Sequence, residues 1–536
     1  PPPTHITSPL PSTHFLHLPP SFAAPTYSLP STSSHVTNQA PNVSSLAAAD
    51  FDVDVRTGFL PPSKNLERLS AEWELWEEAL DAAKNGGLKL FAGEKERLWR
   101  KGIEIMPVLD TEGLRVSILS LRRAHLVLTF LLHFYAHTTP TTSPRTLPLP
   151  IPASIAVPLI IISPLLGLPP ILTYSDTVLY NFHPLNASLP SMRSTNPPAK
   201  ILTTFTGTSS EEHFFLTSAL CEIAGSEALK LMRQSLDELF VGDAIALKRL
   251  TVYLKHLAAQ IAKISDTIMD MMNGCDPEEF YHLIRPWFKG GDSEGEASLG
   301  WEFLGLTSEM EQQEWEAENS VTSLSGQGRG KGRKFSGPSA GQSSLIHALD
   351  VFLTVDHSPQ PEAEPETPGD DTVTFPAGTT FSSEPTTSNV KPKPAVEATY
   401  LQRMLSYMPL PHRSFLLHLA AHPTPLRAVV LHHAESNPKL ADAYDAALTA
   451  LGRLREKHMR IVSVYIIQQA RRRPSERIKR MMGMEHGIQE EEEEHEQEIE
   501  VDGLRGTGGT PLFRFLKMCR DNTSRAKVGK TGVMGS

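Results

Sequence analysis

Between Asp243 and Gly274 the apolar residues Leu247, Leu250, Leu254, Leu257, Ile261, Ile264 and Ile268 recur in steps of three and four. That period places all seven on one face of an α-helix and cannot serve a half-buried strand. Asp243 can cap the start of this helix, and Gly274 can stop it. A second stripe follows Asn437 and Pro438, an N-cap and a first-turn proline. It runs through Leu440, Tyr444, Leu448, Leu451, Leu454, Ile461, Val462 and Tyr465, and the helix is expected to reach about Ala470. No alternating strand pattern of useful length interrupts this half. The expected fold is mainly α, with a large all-helical domain over 196–536 and a smaller mixed N-terminal domain over 50–195.

The rest of the chain carries much that cannot build a core. The 536 residues include 44 prolines. Residues 1–49 are rich in Pro, Ser and Thr and contain no Asp, Glu, Lys or Arg, so a disordered tail is expected. A transit peptide is Arg-rich and a secretory signal starts basic, so neither is expected here. Three low-complexity insertions, near 322–336, 356–396 and 471–502, read as solvated loops. In the smaller domain, Ser70 can cap a helix bearing Trp73, Trp76 and Leu80. The apolar run Ile151 to Tyr174 contains Pro152, Pro158, Pro164, Pro169 and Pro170. A membrane span needs about 20 apolar residues in an unbroken helix, so this run reads as packed, proline-bent core and no membrane association is expected.

The net charge of −11 argues against nucleic-acid binding, which needs a basic face. The three cysteines, Cys221, Cys275 and Cys519, are far apart. No Cys-x-x-Cys spacing exists for a zinc ribbon or a covalently attached haem. Buried thiols in a reducing cytosol are the simpler reading, and a cytoplasmic monomer is expected.

Of the 21 histidines, His458 falls on the second apolar stripe, one turn after Leu454. An imidazole there faces the core. It is either hydrogen-bonded to a neighbour or an axial ligand to iron, with an acceptor behind it to orient the ring. Periodicity does not choose between these. Arg285 precedes Pro286, which disfavours helical geometry at Arg285, so the helix starting at Asp276 and Pro277 is expected to end there. Phe280 and Arg285 are five apart, about 140° round an ideal helix, so spacing does not place them on one face. Phe214 and Ser218, four apart, do share a face.

Ten segments, in order, resemble the indoleamine 2,3-dioxygenase family: FDVDVRTGFLPP (51–62), LRRAHLVLTFLLHFY (121–135), LGLPPILTYSDTVL (166–179), EEHFFLTSA (211–219), FYHLIRPWF (280–288), SGPSAGQSSLIHALDVFL (336–353), YMPLPHRSFL (407–416), AYDAAL (443–448), HMRIVSVYI (458–466) and GTGGT (506–510). The proline-bent run and the insertions favour a fungal-type member.

The resemblance implies haem b, held non-covalently in the large domain with His458 as the iron ligand. It implies that Arg285 takes the carboxylate of L-tryptophan, Phe280 packs on the indole, and Ser218 and Phe214 line the distal side. Tyr174 and Thr177 form the pocket wall, and Ser339, Ala340 and Gly341 a small-residue loop beside the substrate. Asp350 supports the haem environment on the proximal side, Arg455 pairs with Asp350 or with a haem propionate, and Thr507 closes a glycine-rich lid. The implied reaction is L-tryptophan plus O2 giving N-formylkynurenine. Two other readings stay open at this level: a haem protein of the same fold with poor tryptophan turnover, and a haem-free helical interaction protein.

Overall fold

The computed structural model describes residues 51–90, 93–140, 147–184, 199–293, 298–310, 332–357, 400–483 and 512–529. The protein is mainly helical. Its longer helices are α1 (Glu74–Ala83), α2 (Glu94–Ile105), α3 (Ile118–Thr138), α4 (Ala153–Leu166), α5 (Ser209–Val241), α6 (Ala244–Met269), α7 (Ser344–Phe352), α8 (Leu410–Ala420), α9 (Leu426–His433), α10 (Pro438–Val462), α11 (Glu476–Met482) and α12 (Leu512–Arg525). Strands among the described residues are three residues long. Leu149–Ile151 pairs in parallel with Trp301–Phe303, and Phe182–Pro184 antiparallel with Ala199–Ile201.

The two apolar stripes form α6 and α10. Asp243 caps α6 by accepting the Ile245 and Ala246 N–H groups on Oδ1. The helix ends at Met269, and a further turn, Met271–Gly274, carries the chain to the glycine. Helix α6 packs against both α5 and α10, and α12 lies along α10. Leu250, Leu254, Leu257 and Ile261 are fully buried in this junction. Burying each such side chain contributes about 1.5–3 kcal/mol.

One buried cluster joins α1, α3 and α4 to Phe205, Phe215, Trp287 and Tyr465. The other joins α5, α6, α7, α8 and α10 to Phe51, Val53 and Phe59. Within the first, Arg123 on α3 donates to both oxygens of Glu77 on α1, at 2.8 and 2.6 Å, with both side chains buried.

Several local expectations are corrected. Neither Ser70 nor Asn437 makes a side-chain cap. Ala71–Trp73 is a 3-10 turn leading into α1, and α10 starts on Pro438 alone. The proline-rich run is packed, as expected, but it is helical: Pro158 and Pro164 lie inside α4, and Gly167 ends it at φ 66°. The insertions near 322–336, 356–396 and 471–502 fall largely outside the described residues. Where they are described, two are not free loops. The Arg333 backbone pairs with Trp301, and 471–502 opens on α11, whose Ile478 is buried. Helix α11 is tied down because Ser475 bonds Glu278 and Arg477 bonds Glu279.

Candidate functional site

Among the described residues there are three π-helical turns: Ser175–Leu179, Phe280–Ile284 and Ser463–Ile467. A π-turn closes i→i+5 hydrogen bonds, is rare, and occurs frequently at functional sites. All three border one cavity. The first brings Thr177 and Val178, with Tyr174 just before it. The second brings Phe280, followed by Arg285, and the third brings Tyr465 and Ile466. Helix α5 adds Phe214, Phe215, Thr217 and Ser218, α10 adds His458, Ile461 and Val462, and α12 adds Phe515 and Leu516. The empty volume is about 1240 Å³ including the open mouth. Small-molecule sites commonly enclose roughly 300–1,000 Å³. The lining is mostly apolar, with Arg285, His458 and a few hydroxyls as exceptions, which suits a flat hydrophobic group with a second ligand beside it.

The second π-turn corrects the reading of Arg285. Arg285 keeps helical angles, φ −55° and ψ −36°, and its N–H donates to the Phe280 carbonyl. Pro286 does not end the helix. It opens a 3-10 turn, Arg285–Phe288, at a position where its missing N–H costs nothing. The wider π-turn brings Phe280 and Arg285 to the same cavity, which an ideal α-helix would not. Phe280 meets Phe214 edge-on at 5.0 Å and Tyr465 edge-on at 5.6 Å. Such contacts are worth about 0.5–1.5 kcal/mol beyond burial. The Arg285 guanidinium lies over the Tyr281 ring, 5.5 Å from its centre. Burial disfavours its charge, which Tyr281 partly offsets. A half-buried guanidinium at an apolar wall suits a carboxylate that would bring the opposite charge.

Ser218 lines the cavity, and its hydroxyl donates to the Phe214 carbonyl at 3.1 Å. Thr177 is buried in the wall, with its hydroxyl bonded to the Thr173 carbonyl. Its π-turn is held from behind by Asp176, which takes the Thr173 N–H at 2.8 Å and contacts His125 at 2.6 Å. Ser339, Ala340 and Gly341 line the cavity too. A Cβ on Gly341 would come within 2.8 Å of the Tyr400 hydroxyl oxygen, which explains why glycine sits there. That hydroxyl bonds Ser339 at 2.9 Å.

His458 faces the cavity from α10. Burial, and then Arg455, push its pKa down to about 4, so the imidazole is neutral near neutral pH. Among the described residues its ring makes no hydrogen bond, so the expected acceptor behind it is not among them. No group of three or more His, Cys, Asp or Glu among the described residues could hold a metal ion. One neutral imidazole on a mostly apolar wall is a donor set that fits a flat, iron-bearing group.

Asp350 and Arg455 do not line the cavity. They are buried behind it, with Arg455 within 2.6 Å of both Asp350 oxygens and also bonded to Thr523. This pair ties α7, α10 and α12 together. Although burial raises its pKa, Arg455 and His357 hold the Asp350 carboxyl at about 2. Thr507 and the Gly506–Thr510 segment lie outside the described residues. Phe288, Tyr400, Tyr465 and Phe515 line or flank the cavity without having been singled out from sequence as site residues. Phe288 sat inside a matched segment and Tyr465 on the His458 stripe. Tyr400 and Phe515 carried no such signal.

The family model for indoleamine 2,3-dioxygenase matches residues 47–526. The chain belongs to this family. It is 31% identical over 482 residues to indoleamine 2,3-dioxygenase of Saccharomyces cerevisiae, covering 87% of this chain and 90% of that protein. It is 30% identical over 430 residues to indoleamine 2,3-dioxygenase 1 of Mus musculus, covering 80% and 84%. It is 28% identical over 481 residues to 6-hydroxytryptophan 2,3-dioxygenase of Fusarium equiseti, covering 88% and 96%. Membership makes the chain an oxidoreductase of the dioxygenase class. Among the described residues no helix is long and apolar enough to cross a membrane.

Proposed function

We propose that the protein is a haem-dependent dioxygenase that opens the indole ring of L-tryptophan with O2 to give N-formylkynurenine, a step of tryptophan breakdown that can supply NAD precursors. The observation that carries this reading is the placement of His458, Phe280 and Arg285 around one apolar cavity. His458 would be the iron ligand, and Asp350 and Arg455 would fix α10 behind it. When bound, haem would supply the activation of dioxygen.

The chain's own contribution is binding, orientation and exclusion of water. Arg285 pairs two of its guanidinium nitrogens with the substrate carboxylate and so fixes one end of the molecule. Phe280 and Phe214 pack on the indole and fix the other end. Tyr174 and Thr177 close the wall, and Ser339, Ala340 and Gly341 leave room beside the substrate. The Ser218 hydroxyl, which donates to the Phe214 carbonyl, would accept from the substrate ammonium. Its role is positioning, and no proton transfer is assigned to it. Holding the C2–C3 bond in reacting geometry is the contribution assigned to the protein, and orientation of this kind can supply up to about 7–11 kcal/mol.

The test is haem reconstitution followed by assay under reducing conditions. A Soret band with formation of N-formylkynurenine supports the reading. No band after reconstitution removes it, and a band without product leaves a haem protein that is not a tryptophan dioxygenase. Because one relative is named for 6-hydroxytryptophan, the assay should pair both indoles. The expected order is tryptophan first.

A further inference from the structure

Behind the aromatic wall lies a carboxyl that the proposed chemistry does not use. Glu222 sits on α5 one turn after Ser218, on the same face, and is 2% exposed. Its Oε1 accepts the Tyr174 hydroxyl at 2.9 Å and the Ser343 hydroxyl at 2.7 Å. Its Oε2 is buried with no hydrogen-bond partner among the described residues. Tyr174 is held at its other end as well. Its N–H donates to Gln342 Oε1 at 2.8 Å, and Gln342 Nε2 donates to the Gly337 carbonyl at 2.9 Å. Three elements therefore meet at Glu222: helix α5, the first π-turn, and the loop carrying Ser339, Ala340 and Gly341.

We propose that Glu222 is a positioning residue that locks Tyr174 and the Ser339–Ser343 loop to α5 and thereby sets the width of the pocket for the indole ring. The role of the pocket rests on the dioxygenase reading; the lock itself does not. A carboxyl buried with one oxygen unmatched is costly, since an unsatisfied buried polar atom costs about 1–3 kcal/mol. A hydrophobic residue would fill the same space at no such cost, but it could not take two hydroxyl donors from different elements. Burial pushes the Glu222 carboxyl up to about 7 even though Ser343 and Tyr174 pull it down. The ionisable neighbours Tyr174 and Cys221 are both held neutral by burial. Glu222 Oε1 accepts both hydroxyls, and so ties Tyr174 and Ser343 to one atom of α5. The aromatic wall and the small-residue loop come from distant parts of the chain, and their spacing depends on it.

The experiment compares the full chain with Glu222→Ala, Glu222→Gln and Ser343→Ala, using two readouts. The first is hydrogen exchange of the 173–180 and 337–343 segments, with α6 as an internal control. Glu222→Ala should exchange about 10-fold faster in both segments and unchanged in α6, and Ser343→Ala should do so to a lesser degree. Glu222→Gln keeps a carbonyl acceptor and should recover most of the protection. The second readout is the KM-against-kcat split. Glu222→Ala should raise KM for tryptophan about 10-fold and lower kcat by less than about 3-fold, with recovery in Glu222→Gln. Wild-type protection and KM in Glu222→Ala overturn the proposal. If Glu222→Ala does not fold, Ser343→Ala decides, and unchanged exchange there overturns it equally. If wild-type protein makes no N-formylkynurenine, the dioxygenase reading fails while the exchange data still decide the lock.

Discussion

One turn of π-helix joins Phe280 to Arg285: the Arg285 N–H donates to the Phe280 carbonyl, and both residues line the same cavity. The turn places an aromatic face and a cation on the wall of one cavity. α11 braces that segment through Arg477–Glu279 and Ser475–Glu278. If Arg285 clamps the substrate carboxylate, Arg285→Ala should raise KM for tryptophan about 10- to 100-fold, the worth of a charge-assisted hydrogen bond of about 1.5–3 kcal/mol. Arg285→Lys should recover only part of this, because a lysine cannot form the two-pronged pair. An unchanged KM in steady-state kinetics would refute the clamp.

His458 lines the cavity with no ring hydrogen bond among the described residues. His458→Ala should therefore fold but lose stable haem binding. The check is the absorption spectrum after reconstitution and removal of free haem. A normal haem spectrum in the variant would rule out the ligand role.

The Asp350–Arg455 pair predicts acid sensitivity with a definite sign. The folded Asp350 pKa of about 2 lies below its ordinary 3.8. The stability it contributes is fully present above about pH 3.8 and is lost as pH falls through the folded value. That shift corresponds to about 2 kcal/mol. Arg455→Ala removes the guanidinium partner of this buried carboxylate and leaves His357, 3.2 Å away, beside it; it should cost about 3–5 kcal/mol, read from denaturant unfolding at neutral pH. A loss under about 1 kcal/mol would show that the pair does not hold α7 to α10.

Leu254 is fully buried in the face that α6 turns to its neighbours. Leu254→Ala should cost about 2–5 kcal/mol, from lost transfer energy plus the cavity left behind. Urea unfolding measures this, and a loss below about 1 kcal/mol would contradict the packing described.

The helical framework was legible because its signal is local. The stripes of α6 and α10 repeat every three or four residues, and the Asp243 cap bonds donors two and three residues away. The π-turns were not legible: inserting one residue into a turn leaves the apolar pattern almost unchanged. For that reason an ideal helix kept Phe280 and Arg285 apart on paper, and Pro286 looked like a terminator. The Asp350–Arg455 pair came from motif resemblance, and its geometry needed α12 in place. Tyr400 and Glu222 act through residues scores of positions away, so no local pattern could single them out. Whether His458 met a neighbour or a ligand turned on what surrounds its ring in three dimensions, which periodicity cannot report.

The most direct test is the mass of the product formed from L-tryptophan and isotopically labelled dioxygen by the reconstituted, reduced protein. The dioxygenase assignment predicts N-formylkynurenine carrying label at both newly introduced oxygen atoms. No product, or a product with only one labelled oxygen, would contradict it.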